Sequence, residues 1–129
     1  MRKIMFSAVI VFLMILGSCD DSTIAKYNIT VKNENTTNDF YVYISASQGQ
    51  PSNSPYRINK KLGETVNSQT FYEYIYGLYY IHIGTSDSYA DYKRFGPVLI
   101  NGNCELIITN DDPYKVKRIG TEDIFEPNS

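Results

Sequence analysis

Alternating apolar and polar residues constrain the fold of this chain more than any other feature of its sequence. The alternation runs with a period of two through segments 27–32, 40–45 and 78–84, which are rich in β-branched and aromatic residues. Successive side chains of a β-strand point to opposite faces of a sheet, so this spacing predicts strands with one buried face. Between residues 27 and 119 no window has the apolar spacing of an amphipathic helix. The chain is therefore predicted to be all-β.

Turn-forming residues separate the predicted strands. Asn101-Gly102 stands between two apolar runs and predicts a tight hairpin, because both residue types tolerate positive φ angles. Pro97 lacks a backbone donor, which predicts an edge or irregular position for segment 93–97. About seven short strands without helices predict an antiparallel two-sheet sandwich, with a closed barrel as the main alternative.

The segment around Tyr79 resembles a recurrent feature of sandwich domains. Gly77 is followed two positions later by Tyr79 and two positions after that by Ile81. This spacing resembles the tyrosine corner of immunoglobulin-like domains, with Ile81 where antibody domains have a cysteine. It is also similar to the glycine-x-tyrosine strand of prealbumin-like modules. The resemblance implies a sandwich of either type, and it implies no function because folds do not determine function.

The N-terminus has the parts of an export signal. Arg2 and Lys3 precede segment 4–16, which is apolar apart from Ser7. As a helix this segment reaches about 20 Å at about 1.5 Å per residue, whereas a bilayer core is about 30 Å thick. We therefore expect a cleaved signal and not a membrane-spanning helix.

The end of this signal resembles the lipobox of bacterial lipoproteins. Leu16-Gly17-Ser18-Cys19 has a leucine three positions before the cysteine and small residues between them. The resemblance implies cleavage before Cys19 and acylation of its thiol, with a non-lipidated signal as the alternative. Two or three acyl chains would hold the protein in the membrane. Asp20-Asp21 resembles an acidic signal for surface export, with inner-membrane retention or a solvated linker as the alternatives. We expect a lipid-anchored protein of the bacterial outer membrane, and the sequence leaves open whether the domain faces the cell surface or the periplasm.

These signals divide the chain into four parts. We predict a lipoprotein signal peptide at 1–18, a lipidated linker at 19–26, a β-sandwich domain at 27–119 and a flexible tail at 120–129. Cleavage removes two of the 12 basic residues and none of the 14 acidic ones. The resulting negative charge argues against nucleic acid as a partner.

Cys104 is the second cysteine of the chain. If Cys19 is acylated, Cys104 has no partner for an intramolecular disulfide. Period two places Cys104 on the same face as Leu106 and Ile108, where a thiol behaves as a small buried hydrophobe. We expect a structural thiol rather than a reactive one.

The sequence contains no recognisable catalytic constellation. His82 is the only histidine, and no motif places a nucleophile and an orienting carboxylate beside it. Glu64 and Glu73 qualify as glycosidase carboxylates only if the fold holds them about 5 to 10 Å apart. Loop acids lack the ordered spacing of a calcium loop; they are Asp87, Asp91, Asp111 and Asp112. We therefore predict a protein that is not an enzyme and has no metal or other cofactor.

Tyrosine is the outlier in composition, with 12 residues and no tryptophan. Tyr41 and Tyr43 share one strand face, and Tyr80 lies beside His82. Together they predict an amphipathic patch for a glycan or protein ligand, whereas aromatic pairing that stiffens the sheet is the alternative. We predict a non-catalytic binding or accessory module of the cell envelope. The alternative function is a structural subunit of a surface or envelope assembly, joined through an exposed sheet edge.

Overall fold

The computed structural model describes residues 24–46, 55–88 and 91–128, and these residues form two five-stranded β-sheets. No α-helix occurs within these three ranges. In chain order the strands are β1 (Tyr27–Asn33), β2 (Phe40–Ser45), β3 (Tyr56–Ile58), β4 (Asn67–Tyr74), β5 (Gly77–Gly84), β6 (Lys93–Ile100), β7 (Cys104–Ile108), β8 (Val116–Arg118), β9 (Ile124–Phe125) and β10 (Pro127–Asn128).

The strand order confirms the all-β class and the two-sheet arrangement. The first sheet has the order β4-β1-β7-β8-β9, and the second has the order β10-β6-β5-β2-β3. Two predictions are wrong in detail. The described residues form ten strands instead of about seven, and β1 pairs in parallel with β7 although the other pairs are antiparallel. A parallel pair needs a long connection, and the five strands between β1 and β7 provide one.

A single hydrophobic cluster joins the two sheets. Ile29 and Val31 enter it from β1, and Ile81 and Ile83 enter it from β5, all with no exposed surface. Their polar and aromatic neighbours in sequence point away from the cluster, as period two requires. The result is a sandwich-like molecule whose core consists of the inward-facing residues of both sheets.

β6 contains Pro97 and is irregular at that point, as expected for a proline in segment 93–97. Between the pairs Tyr79–Val98 and Ile81–Phe95, β5 has one residue and β6 has two, so β6 contains a bulge at 96–97. A bulge residue need not donate to the ladder, which accommodates the proline. Gly96 has a φ of 124°, and a Cβ there would lie 3.0 Å from the Tyr79 carbonyl oxygen.

The hairpin prediction at Asn101-Gly102 is wrong. β6 belongs to the second sheet and β7 to the first, so this turn crosses between the sheets. Gly102 is not among the described glycines with positive φ, which are Gly63, Gly96 and Gly120. The preceding and following strands each pair elsewhere, and tertiary packing has overridden the local turn preference.

The segment predicted to be a flexible tail contains two short strands, and both of them pair with other strands. β9 pairs with β8 in the first sheet, and β10 pairs with β6 in the second. Phe125 packs against the hydrophobic cluster, and this contact helps to hold the segment against the sheets. The predicted signal peptide, Cys19 and Asp20-Asp21 lie outside the described residues. Within the described ranges, no helix has the length and apolar character of a membrane span.

Candidate functional site

The second sheet brings the four predicted contact residues together on its outer face. β2 and β5 are antiparallel neighbours, and their register places Tyr43 opposite His82 and Tyr41 opposite Gly84. Tyr80 lies opposite Ser45 in the same register. Residues directly opposite each other on paired strands point to the same side. We call the surface formed by Tyr41, Tyr43, Tyr80, His82, Tyr92 and Arg94 the aromatic face.

The centre of the aromatic face is tightly packed. The rings of Tyr43 and His82 are stacked with centroids 4.2 Å apart and an interplanar angle of 12°. Only 5% of Tyr43 and 4% of His82 are exposed. Tyr92 lies beside this stack, with its ring centroid 5.3 Å from that of Tyr43. Tyr43 and His82 therefore pack the sheet, as the aromatic-pairing alternative predicts. Tyr41 and Tyr80 are half-buried and leave part of their surface for a ligand.

Ser45 contacts the histidine and was not predicted as a site residue. Its Oγ lies 2.9 Å from His82 Nε2, which is hydrogen-bonding distance. A serine and a histidine at this distance are two parts of a nucleophilic site, but the chemistry also needs an orienting group and space for a substrate atom. The near-complete burial of His82 closes that space in this structure. Ser45 was detectable from the parity it shares with Tyr41 and Tyr43.

Two arginines lie at opposite sides of the aromatic face. Arg57 on β3 lies opposite Tyr41, and its guanidinium is 2.7 Å from the Asp39 carboxylate. The pKa of Asp39 is lowered, first by the hydrogen bond from the Lys60 backbone N–H and then by the bond from Arg57. Arg94 on β6 lies opposite His82, with its guanidinium carbon 5.4 Å from the centroid of the Tyr80 ring. The charge of Arg57 is thus matched by Asp39, whereas no ion pair is found for Arg94 among the described residues.

Apolar side chains extend the aromatic face toward the start of β5. Leu78 lies opposite Leu99 in the pairing of β5 with β6, and both are exposed, Leu78 by 56%. Leu78, Pro97 and Leu99 line a groove of about 410 Å³ together with Arg118 and Phe125. The outer surface of the second sheet is thus amphipathic along its length.

The two candidate glycosidase carboxylates, Glu64 and Glu73, lie on different parts of the chain around β4. Glu64 precedes β4, and Glu73 lies near the end of that strand. An extended strand rises about 3.3 Å per residue, so Glu73 lies about 20 Å from the beginning of β4. Among the described residues, no group of three or more histidine, cysteine, aspartate or glutamate side chains is arranged to hold a metal ion.

Cys104 is half-buried and packs against the hydrophobic cluster, as its parity with Leu106 and Ile108 predicts. Burial raises the pKa of its thiol, an effect that the nearby Arg118 charge reduces. A thiolate is the reactive form of cysteine, so a raised pKa makes this thiol less reactive. The geometry supports the structural interpretation of Cys104.

Tyr79 forms the side-chain bond typical of a tyrosine corner. Its hydroxyl donates to the Ile75 carbonyl oxygen at 2.8 Å, four residues upstream. The ring also makes an edge contact with Tyr74. This tyrosine points inward and supports the fold, so it does not belong to the aromatic face.

Comparisons with protein-family models, with curated proteins and with solved structures found no match to this chain.

Proposed function

We propose that this protein is a non-catalytic binding or accessory module of the bacterial cell envelope that uses the aromatic face as its contact surface. One observation carries the proposal: residues from two separate segments, 41–43 and 80–82, converge on one outward sheet face. Tyrosine rings combine an apolar body with a hydroxyl and lose little conformational entropy on binding. Exposed leucines continue the same surface. A glycan or a protein is the kind of ligand that such a surface fits.

The test replaces the two accessible tyrosines, Tyr41 and Tyr80, by serine in one variant. Tyr43 is left unchanged because it is buried, and its replacement would also destabilise the sheet. The matched control is Tyr72→Ser, since Tyr72 is 67% exposed on β4 of the other sheet. Binding is measured on an array of glycans and on purified envelope polysaccharides. We expect the double variant to lose binding and the control to retain it; equal binding by all three proteins would reject the aromatic face.

The anchoring part of the proposal concerns Cys19. Lipidation of its thiol would attach the domain to the outer membrane through residues 19–26. Metabolic labelling with an alkyne analogue of palmitate should label the full chain and leave Cys19→Ala unlabelled. Protease shaving of intact cells should release peptides from 27–119 if the domain is at the surface. Release only after lysis would place it in the periplasm.

We further propose that the sandwich is of the prealbumin-like type. Immunoglobulin constant domains divide their second and third strands between different sheets. Here β2 pairs with both β3 and β5 within one sheet. The strand order therefore favours the other type implied by the Gly77–Tyr79 resemblance. Cross-strand distances between Tyr41 and Arg57, measured by nuclear magnetic resonance, test this pairing directly.

A second candidate function, a subunit of an envelope assembly, is favoured by the edge of β4. Within the described residues, β4 pairs only with β1, and it is eight residues long. The other sheet edges have at most three residues; they are β3, β9 and β10. Segment 67–71 of β4 is uncharged, so it lacks the lysines that often protect an edge from strand addition.

The edge is tested by placing a charge on it. Thr70→Lys adds a cation to the outer face of β4. The Thr70 side chain forms one described hydrogen bond, to the Thr30 hydroxyl. If a partner adds a strand here, the variant should lose a chain that co-purifies with the wild type after gentle detergent extraction. Thr121→Lys, at an exposed position outside the strands, is the control. Monomeric wild-type protein would reject this second function.

A further inference from the structure

Arg94 is a cation without an anionic partner in the described part of the chain. The ion pairs found there join other residues: Lys32 with Glu105, Arg57 with Asp39, and Lys115 with Glu126. Arg94 Nε is buried and has no hydrogen-bond acceptor among the described residues. A buried donor or charge without a partner is costly, because water no longer solvates it. Arg94 as a whole is half-buried, so an acidic group from outside the chain would give its charge the anionic partner that the described residues do not provide.

The position of Arg94 on the aromatic face gives that acidic group a defined setting. Tyr80 lies within cation–π distance and restrains the guanidinium, with 5.4 Å between Arg94 Cζ and the ring centroid. The outward residues on β2 and β5 are aromatic, apolar or hydroxyl-bearing, and none is acidic; they are Tyr41, Tyr43, Ser45, Leu78, Tyr80 and His82. No carboxylate from these two strands therefore competes for Arg94.

Arg57 provides an internal comparison on the same sheet. Its charge is matched by Asp39 at 2.7 Å, and its pKa is raised chiefly by that hydrogen bond. Arg57 thus has a carboxylate partner, whereas none is found for Arg94 in the described ranges. The two arginines are the same residue type on the same sheet. Arg57 forms an ion pair within the protein, and Arg94 forms none with the described residues.

We infer that Arg94 is the carboxylate subsite of the aromatic face and that the ligand is a sugar bearing a carboxylate, such as a uronic or sialic acid. This inference rests on the proposed function and adds the ligand class. The planar guanidinium presents two parallel N–H donors, which match the two oxygens of a carboxylate. The tyrosine rings beside it offer apolar surface to the C–H groups of a sugar ring and hydroxyls to its rim. A neutral sugar has no anionic group that could form an ion pair with Arg94.

The experiment uses matched pairs of acidic and neutral oligosaccharides as probes. The pairs are oligogalacturonate with the corresponding galactose oligomer, sialyllactose with lactose, and glucuronic-acid oligomers with glucose oligomers. Affinities are measured by calorimetry for the wild type and Arg94→Gln. We expect the wild type to prefer acidic members, and Arg94→Gln to bind them about tenfold more weakly, as loss of a charge-assisted hydrogen bond predicts. Neutral members should be unaffected by the substitution.

Two further variants separate recognition from net charge and from folding. Lys117→Gln removes the same charge from an exposed position on β8 of the other sheet and should leave every affinity unchanged. Arg94→Lys keeps the charge but not the planar pair of donors, so its affinity for acidic sugars should be intermediate. An unchanged thermal midpoint for each variant shows that the fold is intact.

Each contrary outcome has a distinct meaning. Tyrosine-dependent binding of neutral sugars alone would overturn the carboxylate subsite and leave the proposed function standing. Equal weakening of acidic and neutral members by Arg94→Gln would show that Arg94 only supports the fold. Arg94-dependent binding of acidic peptides with no bound sugar would overturn the ligand class. If no probe binds and the Tyr41 and Tyr80 variant behaves as the wild type on every ligand, both proposals fail.

Discussion

At the scale of single residues, the contact between Gly84 and Tyr92 leaves no room for a side chain. A Cβ at Gly84 would lie 2.4 Å and 2.5 Å from the Tyr92 ring atoms Cδ1 and Cε1. Gly84→Ala must displace this ring from its contact with Tyr43. We expect the free energy of unfolding to fall by about 1–3 kcal/mol, the usual cost of overpacking. Urea unfolding followed by tyrosine fluorescence measures it.

The control for this substitution is Gly102→Ala. No heavy atom lies within 4 Å of a Cβ built at Gly102, and its φ is not positive. Its stability should stay within about 0.5 kcal/mol of the wild type, as is usual for a surface substitution. If Gly84→Ala is equally neutral, the Tyr92 ring moves aside without cost, and the packing of the aromatic face is looser than the structure indicates.

At the scale of elements, the buried Asn35 makes several of the hydrogen bonds that hold the turn between β1 and β2. Asn35 is 4% exposed, and its Oδ1 accepts hydrogen bonds from the backbone N–H groups of Thr37 and Asn38, both at 2.9 Å. Its Nδ2 donates to the Thr109 carbonyl oxygen just after β7. Asn35→Ala would remove these three hydrogen bonds, of which the bond to the Thr109 carbonyl is buried. We expect a loss of about 1–3 kcal/mol in the free energy of unfolding.

The prediction for Asn35 is checked by thermal and urea unfolding beside Thr37→Ala. Thr37 is an exposed residue of the same turn, so this variant changes the turn sequence without removing the Asn35 side chain. A loss of stability as large in Thr37→Ala would mean that the turn responds to any substitution, and it would remove the specific role assigned to Asn35.

The elements also show how far sequence patterns reach. β1, β2 and β5 were predicted because one face of each is apolar in strict alternation, and burial of that face decides strand and register together. β4 was not predicted, since Phe71 is its only buried residue and most of the others are polar. β4 is an edge strand that is held by backbone hydrogen bonds to β1 and by the Thr30–Thr70 hydroxyl contact. Because these interactions need few apolar side chains, the sequence of β4 shows little hydrophobic alternation.

The sequence predicted four of the six residues of the aromatic face, but neither Tyr92 and Arg94 nor the burial of the face. Parity placed Tyr41 and Tyr43 on one face and His82 away from its isoleucine neighbours, and the structure shows that arrangement. The burial of Tyr43 and His82, the Ser45 contact and the approach of Arg94 all depend on which strands are neighbours. Strand order is a property of long-range pairing, and local alternation carries no information about it.

At the scale of the whole molecule, the shared core determines how the protein unfolds. Val31 on β1 and Val98 on β6 belong to different sheets, yet both are fully buried in one hydrophobic cluster. Tyr114 bridges within that cluster, with ring contacts to both Phe40 and Phe95. A sheet separated from its partner would expose this cluster to water. Neither sheet is therefore expected to persist alone.

The shared core predicts a single unfolding transition. Val31→Ala and Val98→Ala remove the same two methyl groups from opposite sheets, and each should lower the free energy of unfolding by about 1–3 kcal/mol. Because both sheets lose the same core, far-ultraviolet circular dichroism and tyrosine fluorescence should give one coincident urea midpoint in each variant. Glu122→Ala, at an exposed position, should leave that midpoint unchanged. Separate midpoints in Val31→Ala alone would instead mean that the first sheet melts before the second, and that the aromatic face survives on a single sheet.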